Sequence, residues 1–184
     1  AIFFLFSQRN KKILKKAKPC VLPIIRFLML SLFQKMSVME IYTDEYFMSQ
    51  ALIEAQKAFD KGEVPVGAVI TYKNAILARA HNLTERLVDV TAHAEMQAIT
   101  AAANALGGKY LNDCTLYVTI EPCVMCGAAL GWAHIGRIVY GAKDEKRGYS
   151  LFSPSVLHPK TEVVSGVKAA ECADMMIRFF KLKR

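Results

Sequence analysis

The apolar positions alternate between two spacings along the chain, and the switches divide residues 43–184 into elements. Met48, Leu52, Ala55 and Phe59 recur at helical spacing and make one apolar face. Thr43 stands where it can cap that helix, Asp44 and Glu45 suit its first turn, and Gly62 ends it. Residues 66–72 form an unbroken buried-strand run. Lys73-Asn74 reads as a turn, and residues 75–80 pair back as a hairpin. After a polar loop, residues 92–105 are Ala-rich with no breaker, which predicts a helix closed by Gly107-Gly108. Residues 115–119 read as a strand, and Pro122 suits the start of a short helix reaching about Leu130. Residues 137–140 and 162–164 read as further strands, and Ala169–Leu182 as a closing helix.

The order is thus α-β-β-α-β-α-β-β-α. Strand–helix–strand units imply parallel pairing, and the hairpin adds an antiparallel pair. The expected fold class is α/β: a three-layer α/β/α domain with a mixed five-stranded sheet, over residues 39–184.

Residues 1–38 differ in kind. A basic stretch, 11–18, precedes an apolar run, 21–33, in the order of a signal peptide. An apolar run already precedes the basic stretch, however, and no small-residue cleavage site follows Phe33. Pro23 and Arg26 interrupt a run already short for a membrane span. The segment is read as a non-native or upstream-translated extension, with Met36 or Met39 as the natural start.

Charge then changes the picture. The net charge of +8 suggests a polyanionic partner. Residues 1–38 carry eight Lys/Arg and no acid, so residues 39–184 hold 16 basic and 16 acidic side chains and are net neutral. Only the end of the chain stays basic, with Arg178, Lys181, Lys183 and Arg184. Those cations suit a polyanion and equally suit the C-terminal end of a helix dipole.

Five cysteines, an odd number without the spacing of a disulfide scaffold, point to a reducing compartment and to metal or redox use of the Cys-x-x-Cys pair. Two segments carry the chemistry: Thr91-Ala-His-Ala-Glu95 and Glu121-Pro-Cys-Val-Met-Cys126. Each lies where a loop or strand enters a helix. Cys123 and Cys126, three apart, present both sulfurs on one face, and a helix N-terminus favours thiolate. His93 supplies a third ligand if the two helices start side by side. Three protein ligands leave one position open, which marks a catalytic zinc, one per chain. Water bound there falls in pKa from about 16 toward roughly 7. Glu95, two residues from His93, is placed to carry the proton. A ribbon would need a second Cys-x-x-Cys, and none exists; Cys114, opening a strand, is either a fourth ligand or a core residue. His-x-Glu followed by Pro-Cys-x-x-Cys is the signature of the zinc nucleobase deaminases.

At these residues the chain resembles the bacterial tRNA-specific adenosine deaminases of the cytidine-deaminase-like superfamily. The likeness extends through Glu63-Val-Pro-Val-Gly-Ala-Val69, Ile135-Gly-Arg-Ile-Val-Tyr-Gly-Ala142 and the terminal Phe179-Phe180-Lys-Leu-Lys-Arg184. It implies a cytoplasmic homodimer, with no membrane segment, that converts the wobble adenosine of an arginine tRNA to inosine in the anticodon loop. Glu95 would protonate the purine while zinc-activated hydroxide attacks. Asn82 matches a residue that hydrogen-bonds the flipped base; on its own it is equally a turn residue. Val66 would wall the pocket, or be core. Ala94 would offer its backbone N–H to the substrate. Asp144 would lie near RNA, or be a solvated loop acid. His81, where the family often has Trp, Val90, where it often has Pro, and an altered loop at 148–160 depart from the pattern. The alternative is a deaminase of a free base or nucleoside, of guanine or cytosine type, with the same zinc site.

Overall fold

A computed structural model describes residues 42–184; the extension proposed for residues 1–38 lies outside the described residues. Helix α1 (Asp44–Asp60) starts as its sequence predicts: Thr43 Oγ1 accepts the Tyr46 N–H at 3.2 Å, and acidic Asp44 and Glu45 meet the positive end of the dipole. Strands β1 (Gly67–Tyr72) and β2 (Ala75–His81) are joined by Lys73 and Asn74 alone, both at positive φ (47° and 65°). This two-residue turn matches the twist of an antiparallel pair, and Asn tolerates that backbone well.

A four-residue helix α2 (Thr84–Leu87) interrupts the loop expected to be irregular, and α3 (Ala94–Leu106) follows, ending on Gly107 at φ 64°. Strand β3 (Cys114–Ile120), helix α4 (Val124–Trp132) and strand β4 (Arg137–Ala142) form a unit of strand, crossover helix and parallel strand. The segment 148–160, expected as a loop, carries short helix α5 (Tyr149–Phe152) and a 3-10 turn at Pro154–Val156. Strand β5 (Glu162–Ser165) and helix α6 (Ala169–Leu182) close the domain.

The sheet order is β2-β1-β3-β4-β5. β1 is antiparallel to both β2 and β3, whereas β3, β4 and β5 run parallel. The hairpin therefore inserts β1 between the two strands that α3 connects, which keeps β2 and β3 running the same way.

Alternation along the central strands sorts the core into two layers. Ala68, Ile70, Leu116, Val118, Ile138 and Tyr140 face Ala94, Ala98 and Ala102 of α3 and Leu130 of α4. Val69, Tyr117 and Val139 face Phe47, Met48 and Ala51 of α1 and Cys172 of α6. The three-layer α/β/α arrangement with a mixed five-stranded sheet is thus the observed fold. Its consequence for function is simple: α3 and α4 lie on the same face, so their N-termini open at the same edge of the sheet. The small face of α3 lets it sit close to the strands. Gly67 does the same for α1, since a Cβ there would strike the Ala51 carbonyl and the Ala55 amide.

Among the described residues, no helix is long and apolar enough to cross a membrane.

Candidate metal centre

The three sequence-predicted ligands come together at two helix starts. His93 is the N-cap of α3 and Cys123 the N-cap of α4, each in extended backbone (ψ 154° and 171°), and Cys126 sits in the first turn of α4. Pro122 precedes the cap rather than opening the helix.

Local bonds explain why the chain presents His93 there. Asp89 Oδ1 accepts the Thr91 N–H at 2.8 Å and the Thr91 hydroxyl at 2.7 Å, and the Ala92 N–H reaches the Asp89 carbonyl at 3.1 Å. This Asx-type turn stops α3 from starting at Ala92. Gln97 donates to the carbonyls of His81 (2.8 Å) and Ala92 (3.1 Å), and Leu83 N–H donates to Ala92 O at 3.0 Å. The end of β2 and the start of α3 are thereby locked edge to edge.

Cys126 Sγ lies 3.4 Å and Cys123 Sγ 3.7 Å from His93 Nδ1, and the three ligand atoms all fall within 4.8 Å of one another. A tetrahedral zinc with Zn–S of about 2.3 Å and Zn–N of about 2.0 Å requires S–N separations of roughly 3.5 Å. The donor set and its spacing fit zinc. Cys114 is not part of this cluster; it is 1% exposed and packs in the α3 layer of the core.

Electrostatics divide the two thiols and make Cys123 the one that ionises first. The hydrogen bond with Cys126, then the contact with His93, pull the Cys123 thiol down to about 4, while sharing with Cys123 and burial push Cys126 up. The Cys123 contact raises His93. The pair thus holds one negative charge readily, stabilised by two helix N-termini.

Glu95, in the first turn of α3, is buried, and burial raises its pKa. It sits against Cys126 without belonging to the three-atom cluster. A carboxyl whose proton is held more tightly than usual, beside a metal centre, suits proton transfer.

The remaining predicted residues divide. Asn82 is 5% exposed and pairs its N–H with Val66 O at 3.0 Å, at the β2 end tied to Ala92. Val66 is half-buried and packs against the α3-side core. Ala94 is fully buried at the first position of α3. Asp144 turns its carboxylate onto its own loop, accepting the N–H groups of Lys146 (2.9 Å) and Arg147 (3.0 Å).

Two buried carboxylates carry structural work that pattern reading did not assign. Glu63 holds the 82–86 segment. Glu121, two residues before Cys123, accepts the N–H of Asp144 (3.3 Å) and Ser150 (3.1 Å) and so holds the 144–150 loop beside α4. The same loop bridges Gly148 to Cys123.

The sequence model of the cytidine and deoxycytidylate deaminase zinc-binding region matches residues 41–142. The chain belongs to this zinc-binding deaminase family. Within it, the chain is 53% identical over 147 residues to a tRNA-specific adenosine deaminase of Aquifex aeolicus, covering 76% of this chain and 95% of that one. A solved tRNA:A34 deaminase, described for A-to-I editing at the wobble position of transfer RNA, is 44% identical, with a TM-score of 0.67 over 71% of this chain and 98% of its own. A guanine deaminase of Bacillus subtilis is 39% identical, with a TM-score of 0.53 over 55% of this chain and 65% of its own. The zinc-dependent deaminase fold and the His93, Cys123, Cys126 cluster agree: this is a hydrolytic deaminase with a zinc site.

Proposed function

We propose that this enzyme converts adenosine to inosine at the wobble position of tRNA, with water consumed and ammonia released. The observation that carries the reading is the buried Glu95 carboxyl beside a three-ligand cluster, within a chain alike over nearly its whole domain to tRNA adenosine deaminases.

His93, Cys123 and Cys126 would hold the zinc. Zinc supplies the Lewis acidity that makes water nucleophilic at neutral pH. Glu95 would take one proton from the attacking water on a carboxylate oxygen and deliver it to the purine ring nitrogen as the water oxygen bonds to the amine-bearing carbon. The second water proton, passed through the same carboxylate oxygen to the amine, would let the carbon–nitrogen bond break and ammonia leave. Asn82 and Val66 border the base, and the Ala94 N–H, at a helix start with no i−4 partner, faces the reacting oxygen. Asp144 shapes the loop on the RNA side. Burial of Glu95 keeps the proton from leaking to bulk water.

The basic end of α6, with Arg178, Lys181, Lys183 and Arg184, supports a polyanionic substrate. We further read the protein as a cytoplasmic homodimer. In support, Trp132 (82% exposed) lines a depression of about 290 Å³ with Ala128, Gly131 and Val156, and Leu151 and Phe152 of α5 are exposed as well. The test is incubation with an arginine tRNA anticodon stem-loop, free guanine and cytidine. Inosine in the stem-loop is expected. Turnover of a free base or nucleoside alone makes it the second kind of deaminase, to which the net-neutral domain and the guanine deaminase likeness also point.

A further inference from the structure

Glu63, between α1 and β1, is 1% exposed, and four donors from one short stretch converge on its carboxylate. Oε2 accepts Asn82 Nδ2 at 3.1 Å, the Glu85 N–H at 3.2 Å and the Thr84 hydroxyl at 3.4 Å; Oε1 accepts the Arg86 N–H at 2.8 Å. A carboxylate surrounded by donors only accepts. It therefore dictates which end of the Asn82 amide faces it, and that end is Nδ2. The second Nδ2 hydrogen goes to Thr84 Oγ1 at 3.0 Å. Both donors of Asn82 are then engaged inside the protein. Its Oδ1 has no partner among the described residues. No buried side-chain oxygen or nitrogen among them lacks a partner, so Oδ1 is open to solvent.

Asn82 is also fixed by its backbone. Its N–H pairs with Val66 O, and its neighbour Leu83 pairs with Ala92, next to His93, both at 3.0 Å. The open acceptor thus belongs to a residue held at the rim of the metal centre.

Resting on the deaminase reading above, we infer that Glu63 is a positioning residue that locks Asn82 with its carbonyl oxygen toward the substrate: with both amide hydrogens held by Glu63 and Thr84, Asn82 does not donate to the flipped base, as the family resemblance implies, but accepts a hydrogen bond from the ribose 2′-hydroxyl of the target nucleotide. The chemistry of the substrate selects that donor. The ring nitrogens of adenine accept, and the amine must face the metal and leave. Within an RNA chain the 3′ oxygen is esterified, so the 2′-hydroxyl is the sugar's one donor. Glu63 thereby acts on substrate choice through Asn82.

The experiment compares stem-loops carrying adenosine or 2′-deoxyadenosine at the target position, in wild type, Glu63→Gln, Asn82→Ala and the double variant, with zinc content and Tm recorded for each. The glutamine amide can donate as well as accept, so the Asn82 amide is no longer held one way round. Wild type is expected to favour the ribose substrate by roughly tenfold. Glu63→Gln should keep zinc, lose about tenfold in kcat with KM for the stem-loop within about threefold, and bring the ribose preference close to one. In the Asn82→Ala background the Glu63→Gln substitution should then cost little more. An unchanged ribose preference, or losses that simply add, overturns the inference. Should Glu63→Gln not fold, Thr84→Val removes the other amide acceptor, and the same preference must fall. A wild type that turns over nucleosides but not the stem-loop refutes the tRNA reading alone, and the ribose-to-deoxyribose ratio on nucleosides still decides the role of Glu63. One that turns over only a sugarless base overturns both.

Discussion

Glu121 accepts the backbone N–H of Ser150 at 3.1 Å, so the residue two before Cys123, a member of the candidate metal cluster, also anchors the segment that packs over the Cys123 helix. Its other oxygen takes the Asp144 N–H, and a Cβ at Gly148 would collide with the same carboxylate. Glu121→Ala leaves two N–H groups without their buried acceptor. The expected cost is about 2 kcal/mol, read as a lower Tm. Glu121→Gln keeps one acceptor and should lose about half as much. Limited proteolysis should cut first between Lys143 and Arg147 in the alanine variant; an unchanged cleavage pattern would refute the anchoring role.

Zinc retention should separate the cysteines. Cys123→Ala and Cys126→Ala each remove a ligand, and metal analysis of the purified variants should show far less than one zinc per chain. Tm should fall with it, because metal binding adds to folding free energy. Cys114→Ala, in the core and outside the cluster, should keep its zinc and lose about 1 kcal/mol from the small cavity. A Cys114 variant without metal would mean that a fourth protein ligand closes the site.

That His93, Cys123 and Cys126 come together with Glu95 beside them was legible because each motif is local. His93 and Glu95 share one helix start, Cys123 and Cys126 another, and the strand between them brings the starts together. The hairpin was legible for the same reason, with Lys73-Asn74 supplying the turn. What stayed hidden depends on distant partners. Glu63 meets residues 19 to 23 positions away, and nothing in its neighbourhood announces them. Glu121 was visible inside its motif, but its acceptor role depends on a loop more than twenty residues on. Helix α2 is four residues long, without a side-chain cap, and ends on Val88 at φ 52°, so no start or stop signal marks it.

Glu95→Gln tests the proton path. The amide fills the same space and cannot cycle a proton. Zinc content and Tm should stay near wild type, since Glu95 lies outside the three-ligand cluster. Deamination should fall by about 10² to 10⁴. Retained activity within about threefold would remove Glu95 from the mechanism and direct attention to another proton carrier.

Asp44 and Arg137 make the pH prediction. Arg137 clasps both oxygens of Asp44, at 2.7 and 2.8 Å, and Tyr117 donates its hydroxyl to Asp44 at 3.0 Å. The start of α1 is thereby tied to the start of β4 and the middle of β3. The Arg137 hydrogen bonds, ahead of the opposing effect of burial, hold the Asp44 carboxyl below its ordinary 3.8. A carboxyl whose folded pKa is depressed stabilises the fold above the unfolded value and loses that contribution as pH falls through the folded value. Denaturant unfolding should therefore find Asp44→Asn less stable than wild type by about 1–2 kcal/mol at pH 7, where the bidentate pair is intact. That difference should persist down to about pH 4 and shrink below it, as wild-type Asp44 takes up a proton and the clasp to Arg137 weakens. The partner at Glu162 is exposed and adds little. A gap between the two proteins that holds constant to about pH 2.5 would show that the charge on Asp44 does not stabilise the fold and that its hydrogen bonds alone do.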